Sequence, residues 1–112
     1  MDIDARSQGL NMAGYDNANF RKVLEDHMTY LRNDPDTKRQ DIPPGYAYRY
    51  EGNFYGLLTA YNVEFQLHWV VLRMNDMTHE SQATRDLRFF VHPDPQKVAA
   101  ILQVFSTVTS SG

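Results

Sequence analysis

The chain has 112 residues, of which 42% are hydrophobic and 12% aromatic, and this composition favours one packed domain over general disorder. Its formal net charge of −3 at pH 7 offers no cationic field for nucleic acid, and the absence of cysteine excludes disulfides and thiol nucleophiles. No apolar run approaches the roughly 20 residues that cross a bilayer, and the N-terminus lacks the apolar centre of a signal peptide. We therefore expect neither nucleic acid nor a membrane among the partners.

A polar arm and an amphipathic helix come first. Residues 1–18 are rich in Gly, Asn and Asp, and we expect an extended N-terminal arm that lies against the domain or a neighbouring subunit. Residues 19–45 are predicted to form an amphipathic helix, over 19–32, followed by a Pro-rich linker. The apolar face of this helix consists of Phe20, Val23, Leu24, His27, Met28 and Leu31.

A central unit follows at residues 46–93. Tyr46, Tyr48 and Tyr50 alternate with smaller or polar residues, which predicts a half-buried strand. The Gly-Asn pair that follows ends this strand and starts two short helices, which are split at Asn62.

The second of these helices, over 65–74, is apolar on nearly every side, so we expect the rest of the domain to surround it. The residues assigned to the structural core are Leu67, Trp69, Val70, Val71, Leu72 and Met74. A charged loop over 77–86 leads to a second strand at 87–91. Residues 94–112 are predicted as a C-terminal helix and tail, with Asp94 as the helix cap. The predicted fold class is therefore α+β.

The order of strand, Gly-Asn turn, two short helices, loop and strand resembles the βααβ unit of LysM domains. The matching residues are Tyr48, Tyr50, Gly52 and Asn53 for the first strand and helix start, Leu57, Leu58, Tyr61 and Val63 for the first helix, and Leu72 and Asn75 for the close of the second. The resemblance implies a LysM-like domain at 46–93 with an N-terminal and a C-terminal flanking helix.

Residues 66–76, with the sequence QLHWVVLRMND, give a narrower match. They resemble the second LysM helix of the baseplate wedge proteins of contractile-tailed bacteriophages, where an aromatic-Trp pair and an aliphatic run end in Asn or Asn-Asp. This resemblance implies a structural component of a phage tail or baseplate, a wedge-type adaptor that joins neighbouring virion subunits. It also implies several copies in a symmetric assembly, synthesis in the host cytoplasm and a final location in the virion.

Such an adaptor would act through exposed aromatic and apolar side chains, because these are enriched at protein interfaces. The strand at 87–91 carries apolar residues on both faces, so it needs a cover, either the last helix or another chain. The candidate contact residues are Tyr15, Phe54, Tyr55, Met77 and Phe90.

Two other functions stay open at this point. A peptidoglycan-binding LysM module would grip glycan between the turn at Gly52 and the loop after Asn75, but no export signal gives it access to the wall. A small wall hydrolase needs two carboxylates facing each other across a cleft, and the spacing of the carboxylates predicts no such pair. The histidines without a recognised ligand spacing are His27, His68, His79 and His92. We therefore expect no catalytic residue, no metal and no cofactor.

Overall fold

The computed structural model describes residues 17–111 of the chain, the last six of them by their backbone alone. Helices dominate this part, and it contains one two-stranded antiparallel sheet, so the fold class is α+β. The elements are α1 (Ala18–Asp26), α2 (Met28–Asn33), β1 (Lys38–Asp41), α3 (Pro44–Arg49), α4 (Phe54–Ala60), a 3₁₀ turn (Phe65–Leu67), α5 (His68–Met74), a second 3₁₀ turn (Glu80–Gln82), β2 (Phe89–His92) and α6 (Pro95–Ser111). The proposed N-terminal arm lies almost wholly outside the described residues.

The predicted helix over 19–32 is present as two helices, α1 and α2. Asn17 caps α1, because its side-chain oxygen accepts hydrogen bonds from the amides of Asn19 (2.8 Å) and Phe20 (3.1 Å). The break falls at His27, where φ is −101° and ψ is 6°. The break keeps the apolar face continuous, since the side chains of Phe20, Leu24, Met28 and Leu31 are all buried.

The predicted strand over 46–50 is wrong, because these residues belong to helix α3 and its C-cap. Pro44 starts the helix, where its fixed φ suits the first turn and its missing amide hydrogen costs nothing. Helical spacing then brings Tyr46 and Tyr50 together, with ring centroids 6.3 Å apart in an edge-on arrangement. It also turns Ala47 into the core, so the alternation of tyrosines reflects helix packing.

The first strand lies instead in the segment predicted as a polar loop. β1 pairs antiparallel with β2, and Gln40 lies opposite Phe90. The amide of Ile42 donates to the carbonyl of Arg88 at 2.8 Å, which continues the same register. Ile42 is itself buried, so the end of the polar strand is held in the core.

The two central helices follow the predicted division. Asn53 caps α4 by accepting a hydrogen bond from the Gly56 amide at 3.0 Å. The chain then reverses at Asn62, which adopts a left-handed conformation with φ of 62°. α5 ends in the same way at Asp76, with φ of 63°. Asn and Asp tolerate this conformation better than most residues, which explains why the helices stop there.

One hydrophobic core joins the central unit to the flanking helices. Phe54 of α4 and Phe90 of β2 meet edge to face at its centre, with ring centroids 6.0 Å apart. Phe20 from α1 and Val98 from α6 are fully buried in the same cluster. The helices before and after the central unit therefore contribute to one core.

Candidate interaction surfaces

Three of the predicted contact residues are buried within the chain itself. Phe54 and Phe90 have no exposed surface, and Met77 is almost completely covered. The expectation that they offer contacts to a neighbour is therefore corrected, because their partners are one another and the core around them. Tyr55 is half-buried, and Tyr15 lies outside the described residues.

The residues assigned to the core from the pattern of α5 divide into two groups. Trp69 is half-buried at the margin of the core, with the guanidinium carbon of Arg21 4.9 Å from its ring centroid. That geometry is a cation–π contact, which suits a tryptophan with one face toward solvent. The fully covered residues are Leu67, Val70, Val71, Leu72 and Met74.

An apolar groove runs between the N-terminal helices and α6, and we call it the helix groove. It has a volume of about 450 Å³. Tyr30 is 53% exposed and Val104 is 65% exposed along it, although both are large apolar side chains. Its lining residues are Val23, His27, Tyr30, Lys97, Ala100, Ile101, Val104 and Phe105.

Charges at one end of the helix groove are paired within the chain. The ammonium group of Lys97 lies 2.6 Å from a carboxylate oxygen of Asp34 and 3.4 Å from one of Asp36. The hydrogen bond from Lys97 lowers the pKa of Asp34 below its ordinary value, and the same bond raises the pKa of Lys97. The groove is therefore apolar along its length and has a fixed ion pair at one end.

Sequence analysis treated Val23 and His27 as part of one apolar helix face, so it did not show that both remain half-exposed beside Tyr30. On α6, Ile101 and Val104 line the same groove. The signal was an apolar stripe wider than one helix contact can bury.

A second aromatic cluster surrounds His68 at the start of α5. The His68 ring is buried and lies 5.4 Å, centroid to centroid, from both Tyr55 and Phe65. Its Nε2 atom is 3.0 Å from the carbonyl of Val63 and donates to it. Burial lowers the pKa of His68, so this imidazole is neutral at pH 7. The neutral ring stabilises the link between α4 and α5.

The two loops that would form a glycan groove do meet. The amide of Gly52 donates to the carbonyl of Ala83 at 2.7 Å. Arg85 makes two hydrogen bonds to the Glu51 carboxylate, at 3.0 and 3.1 Å, and its guanidinium carbon is 5.2 Å from the Tyr48 ring centroid. The exposed aromatic ring at this junction is Tyr48, since Phe54 points into the core.

Residues 17–111 contain no cluster of three His, Asp or Glu side chains that could hold a metal ion. Within the same part of the chain, no helix is both long and apolar enough to cross a membrane.

A small cavity of about 150 Å³ lies beside Tyr61, Glu64 and His92.

Comparison with protein-family models, with curated proteins and with solved structures finds no match to this chain.

Proposed function

We propose that this protein is a structural subunit of a phage tail or baseplate, a wedge-type adaptor that holds neighbouring virion subunits by protein–protein contacts. The resemblance of residues 66–76 to the second LysM helix of baseplate wedge proteins supports this function. In the fold, that stretch covers the end of the 3₁₀ turn and α5, which contribute Leu67, Val70, Val71, Leu72 and Met74 to the core. A rigid central helix suits an adaptor that transmits force between neighbours.

The proposal includes a LysM-like central unit with an adjusted boundary. β1 and β2 pair antiparallel, and three helices, α3, α4 and α5, lie between them in the chain. In a LysM-like unit, α4 and α5 would be the two helices. The first strand of that unit would be Lys38–Asp41 rather than the tyrosine segment. Helix α3 would then be an addition to the unit.

The helix groove is the observation that carries the adaptor function. Large exposed apolar surface on a small protein is typical of a contact site, because water is a poor solvent for it. Its apolar walls would accept a row of apolar side chains from a neighbouring tail subunit. The ion pair between Lys97 and Asp34 would form a polar boundary at one end. Tyr30 would be a principal contact, since it combines a large ring with a hydroxyl group.

Incorporation into particles tests this proposal. A tagged chain is supplied during infection by a tailed phage that encodes it, and the amount in gradient-purified virions is measured by mass spectrometry. Ala100→Glu places a charge in the helix groove, whereas Ala99→Glu places the same charge on the neighbouring exposed residue, which does not line the groove. We expect incorporation to fall about tenfold or more for Ala100→Glu and to be unchanged for Ala99→Glu.

Two results would contradict the proposal. Absence of the wild-type chain from virions would exclude a tail function. Equal incorporation of the two variants would exclude the helix groove as the contact. Circular dichroism of both purified variants establishes that each retains the helical fold.

Peptidoglycan binding is the alternative function, and the junction of the Gly52 turn with the loop at Ala83 and Arg85 favours it. Co-sedimentation with insoluble peptidoglycan tests it, with Tyr48→Ala as the variant because that ring is exposed beside the junction. Saturable pelleting that Tyr48→Ala abolishes would replace the adaptor function with wall binding. Absence of pelleting would exclude the alternative.

A further inference from the structure

The two edges of the sheet differ in how their backbone groups are satisfied. In an antiparallel pair, alternate residues direct their amide and carbonyl groups toward the partner strand, and the others direct them outward. The hydrogen bond from the Ile42 amide to the Arg88 carbonyl shows which residues of β1 bond to β2. The backbone amide and carbonyl of Gln40, two residues earlier, therefore also point toward β2. Arg39 and Asp41 therefore present their backbone groups at the outer edge of β1.

The outer edge of β2 is closed at Val91, one of the two residues whose backbone groups face outward there. The Asn75 side chain accepts a hydrogen bond from the Val91 amide and donates one to the Val91 carbonyl, both at 2.9 Å. These bonds reproduce what a third strand would supply, so no strand can be added on that side at Val91.

The outer edge of β1 is open by comparison. Among residues 17–111, no hydrogen-bond partner is found for the amide of Arg39, the carbonyl of Arg39 or the amide of Asp41. The carbonyl of Asp41 accepts from the side-chain amide of Gln40 at 2.9 Å and from the Tyr61 hydroxyl at 3.5 Å. Gln40 and Tyr61 are half-buried, but both hydrogen bonds lie at the surface, so water can replace Asp41 as the partner of each donor. An edge with free backbone groups is a template for another strand.

The side chains on this edge are complementary to themselves. Arg39 and Asp41 lie on the same face of β1, two residues apart, and already contact each other at 3.0 Å. If a second β1 lies antiparallel with Gln40 opposite Gln40, each Arg39 faces Asp41 of the second copy. In that register the outward backbone groups of Arg39 and Asp41 also face one another. Lys38 then lies opposite Ile42 of the second copy, so no like charges oppose.

We propose that two copies of this chain pair through the outer edge of β1, about a two-fold axis at Gln40, to form one four-stranded antiparallel sheet. The pair contains four backbone hydrogen bonds and two cross-strand ion pairs. The contact is short, so its affinity in isolated protein is low, at the weak end of specific interfaces. In an assembly that holds many copies, the same contact is strengthened by high effective concentration.

This pairing goes beyond the proposed function, because it needs no other tail protein. The test is sedimentation equilibrium from about 20 µM to about 1 mM, a range suited to a small interface. Wild type is expected to approach twice the chain mass of 13.0 kDa with increasing concentration. Absence of a dimer throughout the range would overturn the pairing and leave the adaptor function to its own test in virions.

Charge reversal distinguishes this edge from every other surface. Arg39→Asp gives the edge two carboxylates, and Asp41→Arg gives it two cations, so each variant repels its own copy. Each dissociation constant is expected to rise about tenfold or more, because like charges opposite each other destabilise a strand pair. An equimolar mixture restores opposite charges at both positions and is expected to recover wild-type association. Restoration in the mixture requires contact between two chains, so loss of the fold cannot produce it.

A proline variant tests the backbone part of the pairing. Asp41→Pro removes an outward amide hydrogen and leaves the bonds of Gln40 and Ile42 to β2 intact. It also removes the Asp41 carboxylate, so it tests the backbone bond and the ion pair of this residue together. We expect it to prevent dimerisation while circular dichroism remains that of wild type. Two results would overturn the proposal by placing self-association on another surface. One is dimerisation that survives Asp41→Pro. The other is association of the single charge variants as tight as that of wild type.

Discussion

The two strands of the sheet are stabilised in opposite ways. β2 carries Phe90 into the core, and it is paired with β1 on one edge and bonded to the Asn75 side chain at Val91 on the other. β1 consists of Lys38, Arg39, Gln40 and Asp41, is largely exposed, and has one open edge. Its attachment depends on the ladder to β2 and on the buried Ile42 that follows it. The difference indicates that β2 stabilises the core, whereas the outer edge of β1 remains available for pairing with another strand.

The largest expected effect is on the core side of β2. Phe90 is fully buried and Phe89, its neighbour, is 40% exposed beneath the guanidinium of Arg39. Phe90→Ala is expected to lower the free energy of unfolding by about 3–5 kcal/mol, because it leaves a cavity beside Phe54. Phe89→Ala is expected to lower it by about 1 kcal/mol or less. Urea denaturation of both variants measures the difference, and equal losses would contradict the assigned faces.

The closed edge of β2 predicts a smaller effect. Asn75 also donates to the carbonyl of Val71 at 2.6 Å, so its side chain joins the end of α5 to β2. Asn75→Ala is expected to lower the free energy of unfolding by about 1–3 kcal/mol, because partly buried backbone groups lose their partners. The Val91 amide should also exchange faster with solvent. Gln66→Ala is the control, since that amide donates to Glu64 at the surface, and a change of about 0.5 kcal/mol or less is expected.

The stability that the segment before β1 contributes depends on pH, because this segment contains Asp34 and its ion pair with Lys97. The hydrogen bond from Lys97 lowers the pKa of the buried Asp34 carboxyl below its ordinary value of 3.8. The unfolded chain therefore takes up this proton at higher pH than the folded chain, so the stabilisation is present above 3.8 and is lost as pH falls through the lower folded value. Thermal unfolding between pH 5 and pH 2 is expected to show a shallower loss of stability for Asp34→Asn than for wild type.

His68 adds a second pH dependence, which wild type and Asp34→Asn have in common. Its pKa is lowered by burial from an ordinary 6.5, so stability decreases as pH falls below 6.5 because the unfolded chain binds the proton first. Wild type and Asp34→Asn share this decrease. Parallel curves for the two proteins below pH 4 would contradict the role of Asp34.

The smallest effect concerns α3, which lies between the strands in sequence. Tyr48 is exposed on this helix, so Tyr48→Ala is expected to change the free energy of unfolding by about 0.5 kcal/mol or less. Tyr48→Gly is expected to cost about 1 kcal/mol more than Tyr48→Ala, which is the difference in helix propensity. Chemical denaturation of the two variants provides the comparison. A loss above 1 kcal/mol for Tyr48→Ala would contradict the exposed position of this side chain.

Local pattern predicted the helices whose apolar periodicity and burial coincide. α5 is the example, since Val70, Val71 and Met74 are apolar in sequence and buried in the fold. The caps at Asn17 and Asn53 were also predictable, because asparagine is a preferred residue directly before a helix. In the fold, each side chain accepts a hydrogen bond from an amide three residues ahead.

The rest depends on contacts between distant residues. Lys38–Asp41 has no apolar alternation, and its strand conformation comes from pairing with a segment about fifty residues away in sequence. Tyr46, Tyr48 and Tyr50 fit a strand by spacing, but Ala47 at the core and proline at the start favour a helix. The contact residues were misplaced for the same reason, since aromatic character alone does not distinguish Phe54 in the core from Tyr48 at the surface.

The most direct test of this account is an NMR measurement on dilute protein. Arg39 and Val91 are a non-hydrogen-bonded pair in the assigned register, so their α-carbons lie about 4.5 Å apart and their α-protons give a strong cross-strand NOE. The account predicts this NOE, slow amide exchange for Gln40 and Ile42, and fast exchange for Arg39. An NOE network joining residues 46–50 to β2, with extended chemical shifts at those tyrosines, would contradict the assignment of β1 and with it the open edge.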